Sequence, residues 1–309
     1  MSYGAHAYED DPRNADVLVS VNGRLVPRAE AVVPVLDAGF VLGDGVWEGL
    51  RVKRGGVCWL RRHVQRLYEG MRALDIPPVP TPDELVRRLF ECLDANGMDD
   101  GVHVRLMVTR GLKATPYQDP RVTVGDPTVV ILPEWKAART NDAGLRLLTS
   151  AIRRTGPDQQ DQKLNSHSKL NCIQACIQAA KAGMEEALML DPRGFVATCN
   201  STHFFIVRDG EVWTSAGGYC LGGITRGVVI ELCEALSIPC REKDFSLVDV
   251  YGADEAFVTG TFAGLTPVRE VDGRTLGPVL GEAEVPGPVT QRLRTAYADA
   301  SAAAASRVL

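Results

Sequence analysis

The chain has 309 residues, 45% of them apolar and 24% charged, which suits globular domains and is long enough for two cores. A net charge of -5 gives no electrostatic reason to expect nucleic acid or an anionic membrane as partner. No apolar run approaches the roughly 20 residues that span a bilayer, and the acidic start Tyr8-Glu-Asp-Asp-Pro12 does not read as a signal peptide. The eight cysteines are scattered, so a reducing cytoplasm is the expected compartment. Only Cys172 and Cys176 stand close together. No His or Cys nearby completes a metal site, so both are read as small core residues and no metal is expected.

In chain order, residues 1–14 read as a loose leader. Residues 17–21, the turn Asn22-Gly23 and residues 24–27 make a hairpin, because Asn and Gly tolerate the positive φ of a two-residue turn. A glycine-punctuated loop from Asp37 then opens onto a strand at 47–52, which carries Glu48 and Arg51 among apolar neighbours. A buried arginine requires an anion; Glu48 or a ligand phosphate would serve, and both stand open. A turn at Gly55-Gly56 leads to a helix from 61 to about 74, and Thr81-Pro82 caps a second helix that ends at Gly97. Residues 102–109 alternate as a strand carrying Arg105, and 128–132 form another. Arg110, Lys113 and Arg121 in the loop between them either bind a substrate carboxylate or are simply solvated. The aperiodic stretch 135–143 is read as a linker. It separates a small N-terminal domain (1–134) from a larger one (144–309).

The second half opens with a strand at 145–150 and a polar run, 156–162, closed by Lys163. A helix follows, with Leu170, Ile173, Ile177 and Ala180 on one face and Gln174, Gln178 and Lys181 opposite. Lys163 and Lys169 flank this strand-to-helix junction, where a lysine can be lifted into a pocket and reach an aldehyde carbon. Two ordinary solvated lysines are the plainer reading. Further on, strands at 186–190 and 195–197 precede the polar knot Thr198-Cys-Asn-Ser-Thr-His203, and a hairpin turns at Asp209-Gly210. Leu221-Gly-Gly-Ile-Thr-Arg226 then runs into an apolar helix. Its glycines permit close backbone approach, and first-turn amides point at whatever lies in front of them. A glycine loop before an ordinary capped helix is the alternative. A similar turn, Thr259-Gly-Thr-Phe-Ala263, follows a strand at 256–258. Two such turns and a buried arginine suit one phosphate monoester. The alanine-rich tail after Ala296 reads as a helix end and a frayed terminus.

Several pieces together carry a resemblance: Gly43-Asp-Gly-Val-Trp-Glu-Gly-Leu-Arg51, Val108-Thr-Arg-Gly-Leu-Lys113, Glu186-Ala-Leu-Met-Leu-Asp191, Gly223-Ile-Thr-Arg226 and Gly260-Thr261 with Thr266-Pro-Val-Arg269. With them the chain resembles class IV, pyridoxal-phosphate-dependent aminotransferases of the fold-type IV group. That group includes branched-chain aminotransferase, D-amino-acid transaminase, (R)-amine transaminase and aminodeoxychorismate lyase. The resemblance implies an α+β fold: a small N-terminal α/β domain, a larger barrel-like α/β domain, and the cofactor between them, usually in a homodimer. It implies a phosphate held by Arg51, by the Ile224 and Thr225 amides with the Thr225 hydroxyl, and by Thr261.

The chain departs from the family at two positions. The family pattern Asp-Pro-x-x-Lys, whose lysine is bonded to the cofactor, places Asn165 at the lysine when laid on without gaps. Lys163 falls two residues early and Lys169 one helical turn late; the ungapped register favours Lys169, a slipped one Lys163. Relatives also place a glutamate beside the ring nitrogen, and its charge keeps that nitrogen protonated. Thr198 stands there instead, and a hydroxyl cannot hold the proton by charge. The implied reaction moves an amino group between an amino acid or amine and a 2-oxo acid, with lysine as proton carrier. Thr198 keeps a non-transaminating enzyme such as a lyase in view, and Asn165 a non-catalytic homologue that binds the cofactor.

Overall fold

The computed structural model describes residues 4–6, 9–137 and 141–309. The chain divides into two compact units. One comprises Glu9–Ala137, Leu164–Ser168 and Ser301–Leu309; the other comprises Met1–Tyr8, Ala138–Lys163 and Lys169–Ala300. Of the stretch read as a linker, residues 138–140 lie outside the described residues, as do 1–3 and 7–8 of the expected leader.

The first unit is built on a seven-stranded sheet whose neighbours all run antiparallel. Its order is Ala305–Ser306, Gly56–Cys58, Gly45–Lys53, Val102–Thr109, Thr128–Trp135, Leu18–Val21, Arg24–Pro27. The expected hairpin is present, with Asn22 (φ 51) and Gly23 (φ 81) both left-handed. In Gly45–Lys53 the side chains alternate, so Val46, Glu48, Leu50 and Val52 are buried and Trp47, Arg51 and Lys53 only partly so. The buried set packs on helices Leu60–Ala73 and Pro82–Ala95, which supply Leu67, Met71, Leu85 and Leu89 to one core. Each such side chain contributes about 1.5–3 kcal/mol of burial. Thr81 caps the second helix as expected, its hydroxyl accepting from Glu84 N at 3.4 Å.

The tail is not frayed. After helix Pro288–Ala303, Ala305–Ser306 pairs with Gly56–Cys58, and Arg307 binds Asp94 at 2.6 Å while lying 4.3 Å over the Phe90 ring. Composition suggested a loose end because the side chains there are small. Pairing with a sheet edge needs only backbone groups.

The second unit holds a nine-stranded mixed sheet. Glu186–Leu190 and Gly264–Val271 run parallel to Leu145–Thr149 between them, and Glu255–Gly260 and His203–Arg208 continue antiparallel. Helix Ile224–Ala235 packs against Glu255–Gly260. Helix Leu170–Lys181 buries only Ala175 and Ala179, which pack with Ala187 and Met189, while Leu170, Ile173 and Ile177 are exposed. The small-residue stripe wins this contact because it lets helix and sheet approach closely. Cys172 is half-buried and Cys176 exposed, so neither is the core residue expected.

Candidate functional site

In the first unit, the strand Gly45–Lys53 decides the role of Arg51. Glu48 is fully buried, accepting from Arg66 at 2.7 and 2.8 Å and lying 2.6 Å from His63 Nδ1. Burial works to raise its carboxyl, but the charge of Arg66 and the contact with His63 hold it below the usual carboxylate range. Arg51, of opposite parity, lies on the other face and donates from Nη1 to the Lys136 carbonyl at 2.6 Å. Glu48 is therefore not its counter-ion. On this open face Arg105, the cross-strand partner of Gly49, stacks 3.6 Å over the Trp47 ring. Burial lowers the affinity of its guanidinium for the proton.

The loop cations weighed for carboxylate binding are engaged elsewhere. Arg110 grips Asp44 at 2.6 and 3.1 Å and two carbonyls, Arg121 is tied to Asp119 at 2.5 Å, and buried Lys113 donates to the Asp119 carbonyl. A cavity of about 470 Å³ opens in the same unit against Phe40, Met107, Thr109, Val130 and His167. Neither candidate lysine lines it.

Residues 164–168 form a short excursion of the chain into the first unit. Ser166 bridges Val46, Trp47 N donates to the Asn165 carbonyl at 3.0 Å, and His167 N donates to the Gly45 carbonyl at 2.9 Å. Asn165 is buried, with its Nδ2 donating to the Trp47 carbonyl at 2.5 Å. Lys163 and Lys169 are the last and first residues of the second unit on either side of this excursion. Lys163 is exposed in a turn; Lys169 is half-buried as N-cap of helix Leu170–Lys181.

In the second unit Thr198 is buried, and its hydroxyl donates to the Thr202 carbonyl at 2.8 Å. The Thr202 hydroxyl donates in turn to Glu186 at 2.7 Å, which also accepts from Ala5 N. Glu186 is fully enclosed and burial raises its carboxyl. Helix Ile224–Ala235 starts earlier than its apolar pattern suggested, with Gly223 as N-cap, which puts Ile224 and Thr225 in its first turn. Thr225 is buried, with Oγ1 3.4 Å from the Tyr297 hydroxyl. Thr261 lies half-buried in the turn closed by the pair Gly260 and Gly264.

Whether these residues fit a phosphate can be tested on the unit itself. Thr259 Oγ1 is buried and has no hydrogen-bond partner among the described residues. At Gly223 the space of a Cβ is taken, since one would sit 2.2 Å from His203 Nε2. A buried hydroxyl without a partner costs about 1–3 kcal/mol unless a ligand accepts from it. First-turn helix amides and a buried hydroxyl without a partner fit an anion such as a phosphate monoester, while the space in front of Gly223 is filled by the His203 ring. In the sequence Thr259 stands out only as the start of the second glycine turn and His203 only as the end of the polar knot; their pairing across two strands is not visible there.

A profile of the family described as amino-transferase class IV matches residues 45–271. Branched-chain-amino-acid aminotransferase-like protein 2 of Arabidopsis thaliana is 41% identical over 287 residues, covering 93% of this chain and 50% of that protein. The chain thus spans about half the length of the Arabidopsis relatives it matches. D-alanine aminotransferase of Listeria innocua is 31% identical over 299 residues, covering 91% of this chain and 95% of that one. Among solved structures, a T.th. branched-chain amino acid aminotransferase with pyridoxamine 5'-phosphate superposes with a TM-score of 0.85 at 31% identity, over 94% of this chain and 95% of that one.

Proposed function

Since the chain belongs to the class IV aminotransferase family, we propose that it is a pyridoxal-phosphate-dependent aminotransferase, moving an amino group between an amino acid or amine and a 2-oxo acid. The observations that support this reading are the first-turn amides of helix Ile224–Ala235 and the buried Thr259 hydroxyl, which has no hydrogen-bond partner among the described residues. The solved relative that binds pyridoxamine 5'-phosphate supports the choice of cofactor.

When bound, the cofactor supplies an aldehyde and a ring that takes up electrons from a bond breaking at the amine carbon. The chain's own residues do the rest. In the second unit, Ile224 and Thr225 would offer amides and Thr225 and Thr261 hydroxyls to the phosphate; in the first, Arg51 is the guanidinium that the family resemblance assigns to it. Lys169 or Lys163 would supply the amine that holds the cofactor's aldehyde and would carry the proton at the substrate's Cα. Asn165 has no amine to offer. Thr198 gives the ring nitrogen an oxygen without charge.

The test is borohydride reduction of the purified protein followed by peptide mapping. A tag on Lys169 fixes the ungapped register, and one on Lys163 the slipped register. A colourless protein with no tag would overturn the cofactor reading.

One observation favours a second reading. The Thr198 hydroxyl is committed to the Thr202 carbonyl, and no carboxylate stands at that position. This suits a non-transaminating pyridoxal-phosphate enzyme such as a lyase. Release of a keto product without a 2-oxo acid acceptor would select it. A bound cofactor that reacts with no amine would select a non-catalytic homologue. We place the protein in the cytoplasm because all eight cysteines are free thiols, and read it as a homodimer because the family resemblance implies one.

A further inference from the structure

His203 opens the strand His203–Arg208 and is buried at 8% exposure. Its cross-strand partner is Thr259, so the two side chains share one face of the sheet. Its ring packs so closely on Gly223 that a Cβ there would stand 2.2 Å from Nε2. Gly223 is the N-cap of helix Ile224–Ala235 and has an ordinary φ of -69, so glycine is required there for room. An imidazole nitrogen, the Thr259 hydroxyl with no hydrogen-bond partner among the described residues and the first-turn amides of a 12-residue helix thus belong to neighbouring elements of one unit.

We propose that His203 and Thr259 are phosphate ligands of this protein, completing the cradle begun by Ile224 and Thr225. The inference rests on the pyridoxal-phosphate reading and deepens it. A phosphate monoester presents three acceptor oxygens. Helix amides would meet one of them, and a ring N–H from His203 and the O–H of Thr259 would meet the others from the sheet. This accounts for Thr259, because a hydroxyl buried without a partner is a cost that a bound phosphate removes. It also accounts for the glycine at 223, since any larger residue would displace the imidazole from the helix start.

The test titrates full-length protein with pyridoxal phosphate and, separately, with pyridoxal, which lacks the phosphate. Inorganic phosphate serves as competitor. Thr259→Val keeps shape and removes the hydroxyl; His203→Phe keeps a ring and removes its nitrogens. Each should lower the preference for pyridoxal phosphate over pyridoxal by about tenfold and weaken competition by inorganic phosphate. Thr259→Val should also raise the Tm of the cofactor-free protein, a gain in stability with a loss in affinity that damage to the fold would not produce. If either variant keeps the wild-type preference while Thr225→Val loses it, the inference fails and the cofactor reading stands. If the wild-type protein shows no preference for the phosphorylated form, both fail.

Discussion

Glu48 and Arg51 lie on one strand and face opposite ways: Glu48 into a buried cluster with His63 and Arg66, Arg51 to the open face of the sheet. They are three positions apart, an odd spacing, and in a strand an odd spacing separates faces. Glu48→Ala should therefore strand Arg66 beside an empty buried site and cost about 3–5 kcal/mol of stability, read by urea unfolding. Arg51→Gln should leave the unfolding midpoint nearly unchanged and weaken pyridoxal phosphate binding by roughly tenfold or more. Equal losses of stability in both variants would contradict the division of labour.

Two buried glutamates should bend the pH dependence of stability in opposite senses. Glu48 is held below its ordinary value of 4.5, so its contribution is present above that pH and lost as pH falls through the folded pKa. Glu186 is raised above 4.5, so its contribution is full below that pH and lost as pH rises towards the folded value. Urea unfolding across a pH series should show Glu48→Gln flattening the acid limb and Glu186→Gln flattening the decline above 4.5.

Asn165 occupies the position where a lysine was sought, and it is tied to the Trp47 backbone from both its carbonyl and its side chain. Asn165→Ala leaves the Trp47 carbonyl buried without that donor, and should cost about 1–3 kcal/mol. It should leave the site of borohydride labelling unmoved. A shift of the label on this substitution would mean that the excursion 164–168 sets the lysine's place.

The C-terminal strand should matter despite its composition. Removing residues 304–309 takes away the pairing with Gly56–Cys58 and the Arg307–Asp94 contact. A loss of roughly 1–3 kcal/mol in unfolding free energy is expected. An unchanged midpoint would mean that this edge pairing carries no weight.

Thr198→Glu would place a carboxylate where relatives carry one. Its expected outcome is a faster amino-transfer half-reaction in single turnover, since a charge there holds the ring nitrogen protonated. An unchanged rate would favour the non-transaminating reading.

Much of the fold was legible from local rules. The Asn22-Gly23 hairpin, the Thr81 cap and the strand Val102–Thr109 follow from turn chemistry, capping and alternation, which act over a few residues. Part of the site was legible for the same reason. Gly223-Ile-Thr-Arg226 announces a helix start, and the first-turn amides of a helix can face an anion.

Contacts between distant segments were not legible. That Arg66 and His63 claim Glu48, that Thr259 stands beside His203, and that residues 305–306 extend a sheet begun at residue 18 all depend on strand pairing across long separations. No local propensity encodes such pairing, because backbone hydrogen bonds are the same whichever strands make them. The sequence by itself determined the elements, the glycine-led helix start and the absence of a lysine at position 165. Only the tertiary structure decided which buried charges neutralise one another and that the Thr259 hydroxyl is buried without a partner among the described residues, since burial and partner choice exist only once the sheets have closed.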